Sequence, residues 1–207
     1  MGEGMESTVY VVDDDPSVCK ALNRLLASEG FSVSVSHSTQ EFLAAYDPAV
    51  PACIILDLSM PGMTGLELQA HLQASGVGCP VIFLTGYGDI PSSVRAMKAG
   101  ALDFLTKPVD ADALLTAVRQ AVAVDQATHL SAMQNKDALA LFATLTPRER
   151  EVVPYLLTGR LNKQIASDLG VAEKTIKVHR SRVMQKLGVR SPIELLTFLK
   201  RSGLHED

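Results

Sequence analysis

CIILD, residues 53–57, is an apolar β-type run that ends in a carboxylate. Three more runs in the first half of the chain have the same form: VYVV reaches Asp13-Asp14, VIFL reaches Thr85 and FLT reaches Lys107. In an open parallel sheet the carboxyl ends of the strands line one crevice, so residues scattered along the sequence converge there. The four polar endings are therefore read as one site.

The surrounding pattern supports that sheet. From residue 8 to about 122, short β-branched runs alternate with helical periodicities, which describes a doubly wound α/β domain. Five strands fit, at about 8–12, 32–35, 53–56, 81–84 and 103–106. A first helix is expected from Pro16, whose fixed φ suits a first turn. It shows Val18, Leu22, Leu25 and Leu26 at helical spacing and stops before a left-handed cap at Gly30. Five strands with alternating helices match the order 2-1-3-4-5, in which strands one and three flank the switch point where ligands bind. Strand one ends in Asp13-Asp14 and strand three in Asp57.

Carboxylates gathered there repel: two unit charges about 5 Å apart cost on the order of 3 kcal/mol at an effective dielectric near 20. A cation must sit among them. One or two carboxylates completed by water and a phosphate oxygen describe a Mg²⁺ site, with Lys107 as a second, fixed positive charge. A carboxylate in such a site can itself accept a phosphoryl group as an aspartyl phosphate. Each residue alone has a blander reading, an acid after a strand as a helix cap, Thr85 as a turn residue beside Gly86 and Phe104 as core. The joint spacing favours the site. Gly62 and Gly65 in MPGMTG need only a turn and a tight helix entry.

The acidic pair, Asp57 followed by Leu-Ser-Met-Pro-Gly, Thr85 and Lys107-Pro108 together resemble a response-regulator receiver domain over residues 8 to 122. That resemblance implies Asp57 as phosphoacceptor and Asp14 as direct Mg²⁺ ligand. Asp13 would act mainly through water, and the backbone carbonyl of Ser59 would complete the protein ligands. It further implies that Thr85 turns its hydroxyl toward the phosphoryl group, that Phe104 is the aromatic switch following it, and that the Lys107-Pro108 bond is cis.

Charge divides the chain. Residues 1–125 hold 15 acids and 6 bases, residues 126–207 hold 8 acids and 13 bases, and the basic half is the candidate for a nucleic-acid partner. Residues 123 to 145 lack Gly and Pro and read as a helical connector. Leu130, Met133, Leu139, Leu141, Phe142 and Leu145 there extend the fifth helix or pack against a neighbour. Beyond them the pattern suggests four short helices, with Gly170 at the turn of a helix-turn-helix. Winding residues 173–187 at about 100° per residue sets Ile176, Val183 and Leu187 on one face. Lys174, Lys177, Val178, Ser181, Arg182 and Gln185 fall on the other, a surface able to meet phosphates, guanine edges and a thymine methyl. His179 lies toward the buried edge, read as packing and polar anchoring and not as a metal ligand.

TPRE, NKQIA, TIKVHRSRVMQKL and LGVRS resemble the LuxR-type DNA-binding domain over residues 142 to 203. The resemblance places Lys177 and Val178 on bases, with Lys174, Thr175 and Arg182 near phosphates or groove edges. Two residues depart from the pattern: Pro154 should kink the first helix of this half, and Ala172 stands where a capping Ser or Thr would be better. A receiver followed by this domain is the architecture of FixJ/NarL-class regulators. The division expected is a receiver at 1–122, a helical linker at 123–141 and the helix-turn-helix domain at 142–207. The class implies a sensor histidine kinase or small phosphodonor, double-stranded promoter DNA, homodimerisation on phosphorylation through residues 90–99 and 103–106, and RNA polymerase as partners. It implies a transcription regulator and not an enzyme. The alternatives weighed are a Mg²⁺-dependent phosphatase and a DNA-binding regulator indifferent to phosphate.

No apolar stretch reaches the roughly 18 to 20 residues of a membrane span, and MGEGMEST lacks the regions of a signal peptide, so a cytoplasmic protein is expected. Cys19, Cys53 and Cys79 share no metal-type spacing and are expected as reduced, buried thiols.

Overall fold

The computed structural model describes residues 7–86 and 90–204, without the side chains of residues 90–92. The N-terminal residues on which the signal-peptide reading turns lie largely outside that range. The chain divides into two compact units, Met1–His129 and Leu130–Asp207.

In the first unit, β1 (Thr8–Val12), β2 (Ser32–Ser36), β3 (Ala52–Asp57), β4 (Val81–Thr85) and β5 (Asp103–Thr106) form one parallel sheet. Its order is β2-β1-β3-β4-β5, as the alternation of strands and helices predicts. The helices between them are α1 (Pro16–Ser28), α2 (Thr39–Ala45), α3 (Gly65–Ala74) and α4 (Ile90–Lys98), with α5 (Ala111–Ala143) after the last strand. Alternate strand residues face opposite layers. Val9, Val11, Cys53, Ile55, Ile82 and Leu84 pack with Leu22 and Leu26 of α1 and Leu114 and Val118 of α5. Tyr10, Val12, Ile54, Leu56 and Phe83 pack with Phe42, Leu68, Leu72 and Ala96 from the other helices. Each such aliphatic side chain contributes about 1.5–3 kcal/mol on burial. The sheet is thereby fixed on both faces.

Register places the functional ends together. Val12 pairs with Leu56, Asp57 with Leu84 and Thr85 with Thr106, so Asp13, Asp57, Thr85 and Lys107 all stand at the carboxyl edge. Asp15 caps α1 by accepting from the Ser17 amide at 2.8 Å, ahead of Pro16. At the other end Gly30, with φ +85°, donates to Ala27 O while Phe31 donates to Leu26 O, a Schellman termination.

Of residues 123–145, expected as a helical connector, those up to Ala143 lie within α5, a helix of 33 residues, and Thr144 and Leu145 follow its end. Asp125, buried, accepts from the Ala52 amide at 2.7 Å, and the His129 ring contacts the Pro48 carbonyl at 3.1 Å. These bonds tie that part of α5 to the start of β3 and to the segment before it in the first unit. Leu130, Met133, Leu139 and Leu141 are exposed, whereas Phe142 is half-buried and Leu145 buried. Cys19 and Cys53 are buried free thiols; Cys79 is free but only half-buried, because it lies in the loop before β4 and not on a strand.

The second unit holds α6 (Pro147–Leu157), α7 (Asn162–Leu169), α8 (Glu173–Lys186) and α9 (Pro192–Arg201) around Val152, Leu156, Ile165, Ile176, Val183, Leu195 and Leu199. Pro154 sits inside α6, which continues past it to Leu157. Gly170 at φ +64° turns the chain from α7 toward α8, and Ala172 opens α8 with no side-chain cap. Thr146 and Glu149 form a capping box on α6, and Lys186 at the end of α8 meets the Glu149 carboxylate at 2.6 Å. The Lys186 hydrogen bond and the Thr146 amide hold the Glu149 pKa down at about 2, against an ordinary 4.5. A folded-state pKa below the unfolded one gives stability that is present above about pH 4.5 and lost as pH falls toward 2. Glu149→Gln should flatten that acid dependence, read from urea midpoints across this range.

Candidate functional site

The carboxyl edge of the sheet gathers charge on one ammonium. Lys107 Nζ lies 2.5 Å from Asp13 Oδ2 and 2.7 Å from Asp57 Oδ1, and both carboxylates are buried. Asp13 Oδ1 accepts from the Asp15 amide at 3.0 Å, and Asp57 Oδ2 from the Ser59 amide at 2.9 Å. Burial alone would lower the Lys107 pKa, but its bonds to Asp13 and Asp57, and their charges, raise it above the ordinary lysine value. The ammonium therefore stays protonated. The Lys107-Pro108 peptide is cis.

Asp14 is exposed beside the buried pair, and among the described residues no three His, Cys, Asp or Glu side chains cluster as a ready ligand set. The cation expected between the strand-end carboxylates is, for Asp13 and Asp57, Lys107 itself. Formally, three carboxylates against one ammonium leave two negative charges. Carboxylates from Asp13, Asp14 and Asp57 with the exposed Ser59 backbone are hard oxygen donors, the chemistry that Mg²⁺ takes.

Thr85 is buried one strand away, and Lys107 N donates to its carbonyl at 2.7 Å. Phe104 pairs with Phe83 in register and is half-buried, its ring centroid 6.4 Å from that of Phe83. On α4, Val94 and Met97 are exposed.

The second unit presents a different surface. Ile176, Val183 and Leu187 are buried, while Lys174, Thr175, Lys177, Val178, Ser181, Arg182 and Gln185 are all exposed. Val178 is 41% exposed amid bases, where burial gives it no role. His179 is half-buried, but its Nδ1 has no hydrogen-bond partner among the described residues, so the expected polar anchoring is not made there.

Two families match the sequence: the response regulator receiver domain over residues 9–119, and the bacterial regulatory proteins of the luxR family over residues 143–199. The chain belongs to the response regulators. This response regulator is 40% identical to Nodulation protein W of Bradyrhizobium diazoefficiens, over 96% of this chain and 88% of that protein. It is 38% identical to the transcriptional regulatory protein FixJ of the same species, over 96% and 97%. Among solved structures it resembles the response regulator StyR, with a TM-score of 0.88 and 44% identity over 95% of this chain and 99% of that one. Full-length FixJ from B. japonicum matches with a TM-score of 0.58 and 36% identity, covering all of both chains. The protein is thus a FixJ/NarL-class two-component response regulator with a LuxR-type DNA-binding domain, a transcriptional regulator by family. Receiver domains take Mg²⁺ at an acidic pocket of this kind; the receiver implies a histidine-kinase partner and the LuxR-type domain implies DNA. Among the described residues no helix is long and apolar enough to cross a membrane.

Gly65 matters more than its place in a turn suggested. A Cβ there would lie 2.3 Å from the Asp57 carbonyl oxygen and 3.0 Å from the Phe83 ring. The start of α3 therefore abuts the strand end that carries Asp57, and only glycine permits the approach. The sequence offers a hint in the spacing of Gly65 after Asp57, but the close contact is tertiary. Gly65→Ala should lower stability by about 1–3 kcal/mol in urea unfolding and shift the amide resonances of residues 57–59.

Proposed function

We propose that phosphorylation of Asp57 controls homodimerisation, and through it promoter occupancy by α8. The observation that carries this reading is the buried Asp57 carboxylate held by Lys107 and the Ser59 amide at the edge of the sheet. A carboxylate oxygen of Asp57 attacks the phosphorus of a kinase phosphohistidine or of a small phosphodonor. The P–O bond forms as the bond to the donor breaks, and the donor departs with its electron pair. Lys107 meets the added negative charge on the phosphoryl oxygens. Mg²⁺, with Asp14, Asp57 and the Ser59 carbonyl as protein ligands and Asp13 through water, supplies the remaining charge neutralisation when bound. Asp13 keeps Lys107 oriented.

Thr85 then turns its hydroxyl to the phosphoryl group and Phe104 follows it inward. The face of α4 and β5, where Val94 and Met97 are exposed, pairs two copies. The part of that face contributed by the side chains of residues 90–92 lies outside the described residues. Two copies set two α8 helices on half-sites about one turn apart. Lys177 and Val178 read bases, while Lys174, Thr175, Ser181 and Arg182 contact phosphates or groove edges. Moving a population from 1:99 to 99:1 takes about 5.5 kcal/mol of differential binding, so weaker coupling leaves basal occupancy without phosphate. RNA polymerase is the further partner and the cytoplasm the compartment. The functional division at 1–122, 123–141 and 142–207 belongs to the same proposal.

Asp57→Asn should abolish radiolabel uptake from acetyl phosphate and Mg²⁺, and uptake at the wild-type rate would sink the assignment. Lys177→Ala should weaken cognate promoter binding by about 1 to 3 kcal/mol and relax discrimination at one base pair. An unchanged titration would remove Lys177 from the base-reading set.

A further inference from the structure

His129 ends the first unit, and both of its ring nitrogens face oxygen atoms. Nδ1 lies 3.1 Å from the Asp125 carbonyl oxygen and 3.3 Å from Asp125 Oδ2, while Nε2 lies 3.1 Å from the Pro48 carbonyl oxygen. A carbonyl oxygen only accepts, and Asp125 Oδ2 already accepts from the Ala52 amide at 2.7 Å. A neutral imidazole carries one N–H, so either tautomer sets a lone pair against an oxygen. The imidazolium donates on both sides and satisfies the whole arrangement.

The surroundings leave Asp125 as the one charge acting on the ring among the described residues. On the segment before β3, the Asp47 carboxylate is turned to the Ala49 amide at 2.9 Å. Tyr46 at the end of α2, Cys53 on β3 and Cys79 before β4 act on Asp125 or on one another, and burial pushes all three up, Cys53 to about 12, so they stay uncharged. Burial by itself lowers the His129 pKa, but the Pro48 and Asp125 carbonyls and the Asp125 charge raise it above the ordinary 6.5. Burial raises the Asp125 pKa above 3.8, against the pull of the Ala52 amide and His129.

We infer that His129 is a proton-operated latch: the imidazolium, bonded at both ring nitrogens, fastens α5 to the segment before β3, and loss of its proton loosens that turn of the helix. A folded-state pKa above the unfolded one gives stability that is fully present below about pH 6.5 and lost as pH rises through the folded value. The hold also has a lower limit, where the Asp125 carboxylate takes a proton. The latch sits where α5 leaves the first unit, so pH sets how firmly the connector is anchored there. It is separate from the Asp57 crevice and does not rest on the phosphoacceptor reading.

The test follows the imidazole nitrogens of the full ¹⁵N-labelled chain by NMR through a pH titration, with amide exchange at about pH 6 and about pH 8. The His129 ring should be protonated at both nitrogens at the lower pH and titrate above 6.5. Amides of residues 126–133 should lose protection about fivefold by the higher pH, after correction for the intrinsic rise of exchange, while those of α1 keep theirs. His129→Gln, which retains one side-chain donor, should show the lower protection at both pH values. If that variant fails to fold, the ring titration and exchange of the wild-type chain decide. A His129 ring titrating at or below 6.5, equal protection of residues 126–133 at both pH values, or the same loss persisting in His129→Gln would each overturn the inference.

Discussion

The ammonium of Lys107, held between the buried carboxylates of Asp13 and Asp57, is the interaction on which the receiver depends. Two buried carboxylates at neighbouring strand ends repel, and a parallel sheet in the order β2-β1-β3-β4-β5 forces that proximity by placing β1 beside β3. Lys107 follows β5, beyond β4, so its reach to both acids requires β1, β3, β4 and β5 to be formed side by side. The fold and the charge balance are therefore one constraint. A phosphoryl group on Asp57 alters that balance at its centre, adding negative charge where one lysine already serves two acids. A divalent cation bound among the same oxygens offsets it.

In the second unit, the basic side of α8 is exposed while its opposite side is engaged in the core. Ile176, Val183 and Leu187 bury that side, and Lys186 ties the end of the helix to Glu149 and to the Thr144 carbonyl. Lys186 thus spends its charge on positioning, whereas Lys174, Lys177 and Arg182 are exposed, as the proposed contacts to DNA require. The exposed Val178 on that basic side fits the proposed contact with a thymine methyl.

Much of this was legible in the sequence. Short apolar β-type runs and their polar endings give the strands and bring Asp13, Asp57, Thr85 and Lys107 to one edge. Helical winding about Ile176 separates the buried from the exposed residues of α8. What sequence could not supply are contacts between residues far apart in the chain. Asp125 on the Ala52 amide, His129 on the Pro48 carbonyl and Lys186 on Glu149 each join residues whose separation leaves no periodic trace. Gly65 reads as a turn until the Asp57 carbonyl is found against it. Asp14 and Asp13, adjacent in sequence, differ sharply in burial because successive residues at a strand end point in different directions.

The central claim is that charge on Asp57 is converted into association of two copies. Sedimentation of the full chain with Mg²⁺, in the presence and absence of beryllofluoride, tests it most directly. The account predicts a rise in dimer fraction with beryllofluoride that Asp57→Asn eliminates. A chain that stays monomeric with beryllofluoride bound, or a rise that persists in Asp57→Asn, would contradict it.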